Sequence, residues 1–300
     1  MSAPKRNKRP ISGWIVLDKP YDMTSTQAVG KCRWLYGAAK AGHAGTLDPL
    51  ATGILPIALG EATKTVPAIQ DGEKTYRFAI AWGAQTATDD AEGEVVATSD
   101  HRPTEAELLA ALPRFTGAIT QVPPAFSAIR IDGERAYDLA RAGEAVEMAP
   151  RQVVISALRL IGHGQVKSEL EMVCEKGTYV RALARDLAEH LGTRGHVAAL
   201  RRTAVGPFSE VDAITIDALE AMALEARDAA LLPVSAGLAD LPEIRLSPDQ
   251  ATAVRHGNPV LLVGAGAPVA LDDAWASLRG EAIAIGHVER GQFKPRRVLN

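Results

Sequence analysis

The run TYRFAIAW, residues 75–82, alternates strictly. Tyr76, Phe78, Ile80 and Trp82 fall on one side of an extended chain. A period of two marks a strand laid with one face on a core, so part of this chain must be sheet. QVVISALRLI (152–161) and SELEMVCEK (168–176) read as a second strand pair, joined by a Gly-containing turn. ISGWIVLDKP supplies a short strand stopped at Pro20. Helix signals lie between these runs. Thr24-x-x-Gln27 is a capping box, and after it Ala28, Val29, Cys32, Leu35 and Tyr36 recur at helical spacing. Thr104-x-x-Glu107 opens a helix with Leu108, Leu109 and Leu112. Thr178 precedes a stripe of Val180, Leu183, Ala184, Leu187 and Leu191 that stops at Gly192. Further helices are expected over 215–224 and from Ser247-Pro248-Asp249-Gln250 to Gly257. The block GHAGTLDPLATGILPIALGEATK, 42–64, has no clean period and reads as loop with short elements.

Hydrophobic residues make up 47% of the 300 and charged residues 23%, which excludes wholesale disorder. Cys32 and Cys174 are the two cysteines, far apart and outside any CxxC. They form neither a disulfide framework nor a Cys-rich zinc site, and they suit a reducing cytoplasm. The longest nearly apolar stretch, 260–271, is too short to span a bilayer, and the basic N-terminus lacks the apolar run of a signal peptide. A cytoplasmic protein without a membrane partner is expected. The net charge of −3 excludes a globally basic coat. Cations are nevertheless clustered. Residues 1–40 hold eight Lys/Arg and two Asp, residues 176–202 hold six against two acids, and residues 290–300 hold four and no acid. Such clusters hold a polyanion locally if they converge, and are otherwise solvated surface.

Chemistry concentrates in Gly42-His43-Ala44-Gly45-Thr46-Leu47-Asp48-Pro49. Asp48 sits among apolar and small neighbours, where a carboxylate needs a cation to stay ionised. An Asp-Pro pair is also an ordinary turn starter, and a lone His43 is commonly structural. There is no GxxxxGK[ST], no HExxH, no zinc-deaminase pattern and no GxSxG. No metal, nucleotide or redox cofactor is implied.

The 42–64 block closely resembles the active-site motif of the bacterial TruB-type tRNA pseudouridine synthases. GWIVLDKP-x-x-MTS (13–25), KTYRFAIAWGAQTATDDAEG (74–93), VPPAFSAIRIDGERAYDLARAGEAVE (122–147), CEKGTYVRALARDLAEHLG (174–192) and HVAALRRTAVGPF (196–208) are similar to the family's other motifs, in order, from about residue 11 to 210. Ala44 and Thr46 depart from the commonest wording, while Gly42, His43, Gly45, Leu47 and Asp48 keep to it. The resemblance implies an α+β (mixed α/β) fold around a largely antiparallel sheet, with a small β-rich, PUA-like C-terminal domain. The expected division is a disordered basic arm over 1–10, a catalytic domain over 11–240 with a thumb-like RNA-binding segment at about 122–150, and the PUA-like domain over 241–300.

It also implies isomerisation of uridine 55 in the tRNA T loop to pseudouridine. Asp48 would be the catalytic aspartate and Arg181 its partner. Tyr76 would stack on the base, Tyr179 and Leu200 would line the uridine pocket, and His43 would stand at its mouth. Lys64, Lys74, Arg201 and Arg202 are candidate RNA contacts. The partner would be tRNA through its T-arm stem-loop, with no obligatory protein partner.

These residue types suit the chemistry. Exchanging a bond at C1′ needs a group that attacks carbon or stabilises an oxocarbenium-like charge, and a carboxylate does either. Whether Asp48 attacks C1′ or takes a proton from C2′ stays open. Arg181 does not deprotonate and holds a carboxylate in a plane. A uridine in a folded loop must be flipped out, at a cost that aromatic stacking partly offsets. Two rivals remain: a tRNA chaperone that remodels the elbow without chemistry, and an Asp-dependent hydrolase or phosphotransferase that would need magnesium.

Overall fold

The computed structural model describes residues 8–127, 129–131, 134–136, 139, 142 and 146–300. The chain divides into two compact units. The first comprises Met1–Pro49, Gly53–Gly72 and Val205–Asn300, the second Leu50–Thr52 and Glu73–Ala204.

In the first unit the strand Gly13–Lys19 runs antiparallel to Ala51–Leu59, in register from Gly13↔Leu59 to Lys19↔Gly53. Ala41–His43 also pairs with Ala51–Leu59, and Ile214–Thr215 lies parallel to Leu17–Asp18. Ala51–Leu59 corrects the expectation of loop over 42–64. Its sequence ATGILPIAL is buried at every position but Thr52. A strand covered on both faces shows no alternation, so periodicity could not reveal it. Trp14, Val16, Ile54, Ala58, Ile69 and Phe208 form the core here, with the Trp14 and Phe208 rings 5.3 Å apart. Gly237 touches the Trp14 indole, and a Cβ there would lie 2.4 Å from Nε1.

Helix Ser25–Tyr36 starts on the expected capping box, with both reciprocal bonds between Thr24 and Gln27 formed. It ends at Gly37, whose φ of 60° suits glycine. Residues 1–7 of the expected disordered arm lie outside the described residues. Arg9, placed in that arm, is docked. Its backbone bonds Gly37 and Ala39, and its guanidinium pairs with Asp228.

The C-terminal part of this unit has its own sheet, ordered Glu243–Arg245, Leu271–Leu278, Glu281–Glu289, Gln292–Val298, Val260–Leu261. Helix Pro248–Arg255 covers it, capped by Ser247 and Gln250 as the sequence indicates. Ala251, Val254, Ala276, Ile283 and Phe293 fill the space between. Leu238, Trp275 and Leu299 form a further cluster, against which Ala68 packs. This sheet is therefore built into the first unit rather than standing apart.

The second unit is centred on strands ordered Gly195–Val205, Lys74–Trp82, Lys167–Cys174, Arg151–His163, Gly117–Gln121. The three ladders from Lys74–Trp82 to Gly117–Gln121 are antiparallel. The expected hairpin at 152–176 is present, with a longer first strand. Phe78, Ile80 and Trp82 are buried on the alternating face, as the period-two pattern requires. Helix Val180–His190 packs on Lys74–Trp82. Its N-cap is Tyr179, without a side-chain cap, rather than Thr178, whose hydroxyl donates to the Glu175 carbonyl. Helix Glu105–Ala111 carries the Thr104/Glu107 box. Much of the expected thumb-like segment lies outside the described residues.

The whole is α+β with mainly antiparallel pairing. Among the described residues no helix is long and apolar enough to cross a membrane.

Candidate active site

Asp48 rides on a loop of the first unit that is fixed through its backbone. On the upstream side, His43 pairs with Ile57 in the Ala41–His43 strand, and the Ala44 N–H donates to the Pro56 carbonyl at 2.9 Å. Gly45 takes φ 94°, which turns the chain out of the strand. Ser25, 3% exposed at the start of its helix, then holds Leu47. Its hydroxyl accepts from the Leu47 N–H at 2.9 Å and donates to the Leu47 carbonyl at 3.0 Å. On the downstream side, Pro49 offers its carbonyl to the Asp22 N–H at 3.0 Å and to Lys19 Nζ at 3.2 Å. Lys19 is fully buried and also donates to the carbonyls of Pro20 and Met23. Asp48 is thus bracketed by two anchored neighbours while its own side chain is half-buried. His43 is half-buried as well.

In the second unit Arg181 occupies the first turn of its helix and is 4% exposed. Its guanidinium donates to the Thr88 carbonyl at 3.1 Å and to the Phe126 carbonyl at 3.0 Å, and stands 3.6 Å from the Asp90 carboxylate. Asp90, 2% exposed, also accepts from the Thr88 hydroxyl and, at 3.0 Å, from the Glu92 N–H. One turn along the helix Arg185 repeats the arrangement. It contacts Asp89 at 2.9 Å and Asp186 at 2.9 Å, and donates to the Val122 carbonyl at 2.8 Å. Burial pushes the carboxyl groups of Asp89 and Asp186 above the ordinary range, with Arg185 opposing. Asp89 sits at φ 60°, a left-handed conformation that Asp tolerates, so the Thr88–Asp90 turn presents both carboxylates to one helix.

The pocket residues expected around the base also belong to this unit. Tyr76 is half-buried on the same strand face whose other members are fully covered. Leu200 is 8% exposed on the neighbouring strand Gly195–Val205. Tyr179 is half-buried at the helix start, with the Arg151 guanidinium 5.9 Å above its ring. The second unit therefore holds a half-open aromatic strand face and a buried arginine; the anchored aspartate belongs to the first unit.

Comparison with known proteins agrees along the whole length. Residues 33–180 match the model of the TruB family pseudouridylate synthase N-terminal domain, and residues 181–239 match that of the tRNA pseudouridylate synthase B C-terminal domain. The chain is 52% identical to the tRNA pseudouridine synthase B of Brucella ovis, over 98% of each chain. It is 52% identical to that of Sinorhizobium medicae, over 100% of this chain and 99% of the other. The chain belongs to the TruB family of pseudouridylate synthases. Its fold matches a chain from the crystal structure of a Cbf5-Nop10-Gar1 complex, with TM-score 0.75, 24% identity, and coverage of 100% of this chain and 90% of that one. A chain of the archaeal box H/ACA sRNP Nop10-Cbf5 complex matches with TM-score 0.73, 23% identity, and coverage of 98% and 93%.

Within this TruB-family fold, the expected RNA contacts differ in exposure. Lys74 is 6% exposed and Arg202 1% exposed. Lys64 is a strut, donating to Glu61 at 2.7 Å and to the Val298 carbonyl at 2.9 Å. Charge counting along a sequence does not separate buried cations from displayed ones. Arg201 is half-buried. Sequence reasoning missed Ser25, Lys19 and Asp90, because each acts on a chain segment far away in sequence. The acidic doublet of TATDDAEG was the one local signal for Asp90. Among the described residues no group of three His, Cys, Asp or Glu is placed to hold a metal ion.

Proposed function

We propose that the chain isomerises uridine 55 in the T loop of tRNA to pseudouridine, acting in the cytoplasm as a single polypeptide. The observation that carries this reading is its whole-length identity with relatives named tRNA pseudouridine synthase B. The anchored Asp48 loop and the buried Arg181 support it. The target uridine swings out of the loop and stacks on Tyr76, with Tyr179 and Leu200 along its edges and His43 at the pocket mouth. Asp48, with Arg181 as its proposed partner, attacks C1′ or takes the C2′ proton. The N1–C1′ bond breaks, the base turns within the pocket, and C5 bonds to C1′. C5 gives up its proton and N1 gains one, so the reaction is a redox-neutral isomerisation. Arg201 and the exposed cations of the C-terminal sheet contact phosphates.

Incubation with an unmodified T-arm transcript, followed by nucleoside analysis, tests the reading. Pseudouridine at the loop uridine with wild-type protein, and none with Asp48→Asn, is the expected result. A transcript refolded but unmodified by the wild type would instead mark a chaperone.

A further inference from the structure

Gln121 closes the strand Gly117–Gln121 and is 1% exposed. Its side-chain amide meets the backbone of a single residue, Tyr179, twice. The Tyr179 N–H donates to Gln121 Oε1 at 2.8 Å, and Gln121 Nε2 donates to the Tyr179 carbonyl at 3.1 Å. Tyr179 is the N-cap of the Arg181 helix, and no side-chain cap holds it from its own sequence neighbourhood. Its carbonyl also receives the first helical bond, from the Leu183 N–H at 3.1 Å. One buried side chain from another strand therefore clamps the backbone of the N-cap residue, where the helix begins.

Two more bonds join the same stretches of chain. Arg185 donates to the Val122 carbonyl and Arg181 to the Phe126 carbonyl. The helix start and residues 121–126 are thus laced together. The Gln121 pair is reciprocal, and it grips the backbone of the residue that carries the Tyr179 side chain, two positions before Arg181.

We infer that Gln121 is a positioning residue for the isomerisation, acting through the Tyr179 backbone on the placement of Tyr179 and Arg181. The inference rests on the reading above, in which those two side chains meet the flipped uridine and its catalytic carboxylate. Without Gln121 the Tyr179 peptide regains freedom, and small misplacements of reacting groups lower rate more than binding. The loss therefore falls on the chemical step.

The test measures tritium release from C5-labelled uridine in a T-arm transcript, under single turnover at saturating enzyme, beside the dissociation constant for that RNA. Gln121→Ala is expected to slow release by about tenfold or more while the dissociation constant shifts by less than about threefold. Gln121→Met, which keeps the volume and loses both bonds, is expected to lose as much, with an unfolding temperature near wild type. Gln121→Glu supplies a readout that packing alone does not move. A protonated acid reproduces both the donor and the acceptor, and burial raises its pKa. The ratio of its rate to wild type is expected to rise as pH falls from 8 to 6. A Gln121→Met rate within about threefold of wild type overturns the assignment. So does a Gln121→Glu ratio that stays flat. Wild-type enzyme that releases no tritium would overturn the activity reading itself, an outcome no Gln121 variant mimics.

Discussion

Hydrogen bonds to backbone fix the loop that carries Asp48, with the Ser25 hydroxyl clasping Leu47 and the wholly buried Lys19 reaching the Pro49 carbonyl. The turn that carries Arg181 is fixed by buried charge, with Asp90 beside it and Arg185 between Asp89 and Asp186 one turn on. The difference follows from what each half must present. A carboxylate that reacts at carbon, the role proposed for Asp48, is better off with the backbone on either side of it tied. A guanidinium that only holds charge is best locked in a plane, and carbonyls with a carboxylate do that. Removing a partner from a buried ion pair leaves an uncompensated charge, whereas losing a neutral bond costs less. The Arg181 turn is therefore more brittle than the Ser25 clasp.

The largest expected effect is on the reacting group itself. Asp48→Asn should reduce pseudouridine formation by about a thousandfold or more, with RNA binding retained. Nucleoside analysis and a binding titration check this, and residual turnover near wild type would remove Asp48 from the chemistry. Arg181→Lys should slow the single-turnover rate by about a hundredfold while changing affinity little, because an ammonium does not reach two carbonyls and a carboxylate together. An unchanged rate would show that charge alone suffices.

Ser25→Ala, on the neutral side, should cost about 1–2 kcal/mol of stability and slow the reaction only several-fold. Denaturant unfolding beside rate measurement tests it, and a loss as large as that of Arg181→Lys would erase the contrast. The smallest effect is a pH dependence. Asp89 has a raised carboxyl pKa in the folded chain, so the folded state binds its proton more tightly than the unfolded state does. Its contribution to stability grows as pH falls from the raised value toward about 3.8. The stability deficit of Asp89→Asn relative to wild type should therefore widen on acidification through that window. Urea midpoints for both proteins between pH 7 and 4 measure it, and a constant deficit would mean that the carboxyl is unperturbed.

Local order was legible in the sequence where local forces set it. The capping boxes at Thr24/Gln27, Thr104/Glu107 and Ser247/Gln250 all form, and the alternation at 75–82 is a strand with one covered face. What escaped was set from a distance. Ala51–Leu59 is covered on both faces and carries no period. The backbone of Tyr179, the N-cap of its helix, is bonded by Gln121, 58 positions earlier. The burial of Lys74 and Arg202 is likewise set by the fold and not by their sequence neighbours. For the candidate site, residue types and motif order pointed to Asp48 and Arg181, but nothing in their spacing named Ser25, Lys19 or Asp90 as the groups that hold those segments.

Leu299 packs with Trp275 and Leu238, the Asn300 N–H donates to Glu61 at 2.8 Å, and Lys64 reaches the Val298 carbonyl. The final residues thus act as a keystone wedged into the unit that bears Asp48. Trimming the chain at about residue 240, to separate gripping from reacting, would leave Trp275's partners facing water and Glu61 and Lys64 without their far ends. A truncated protein that lost turnover would report that damage rather than any division of labour, so the roles of the C-terminal sheet are better assigned by single surface substitutions.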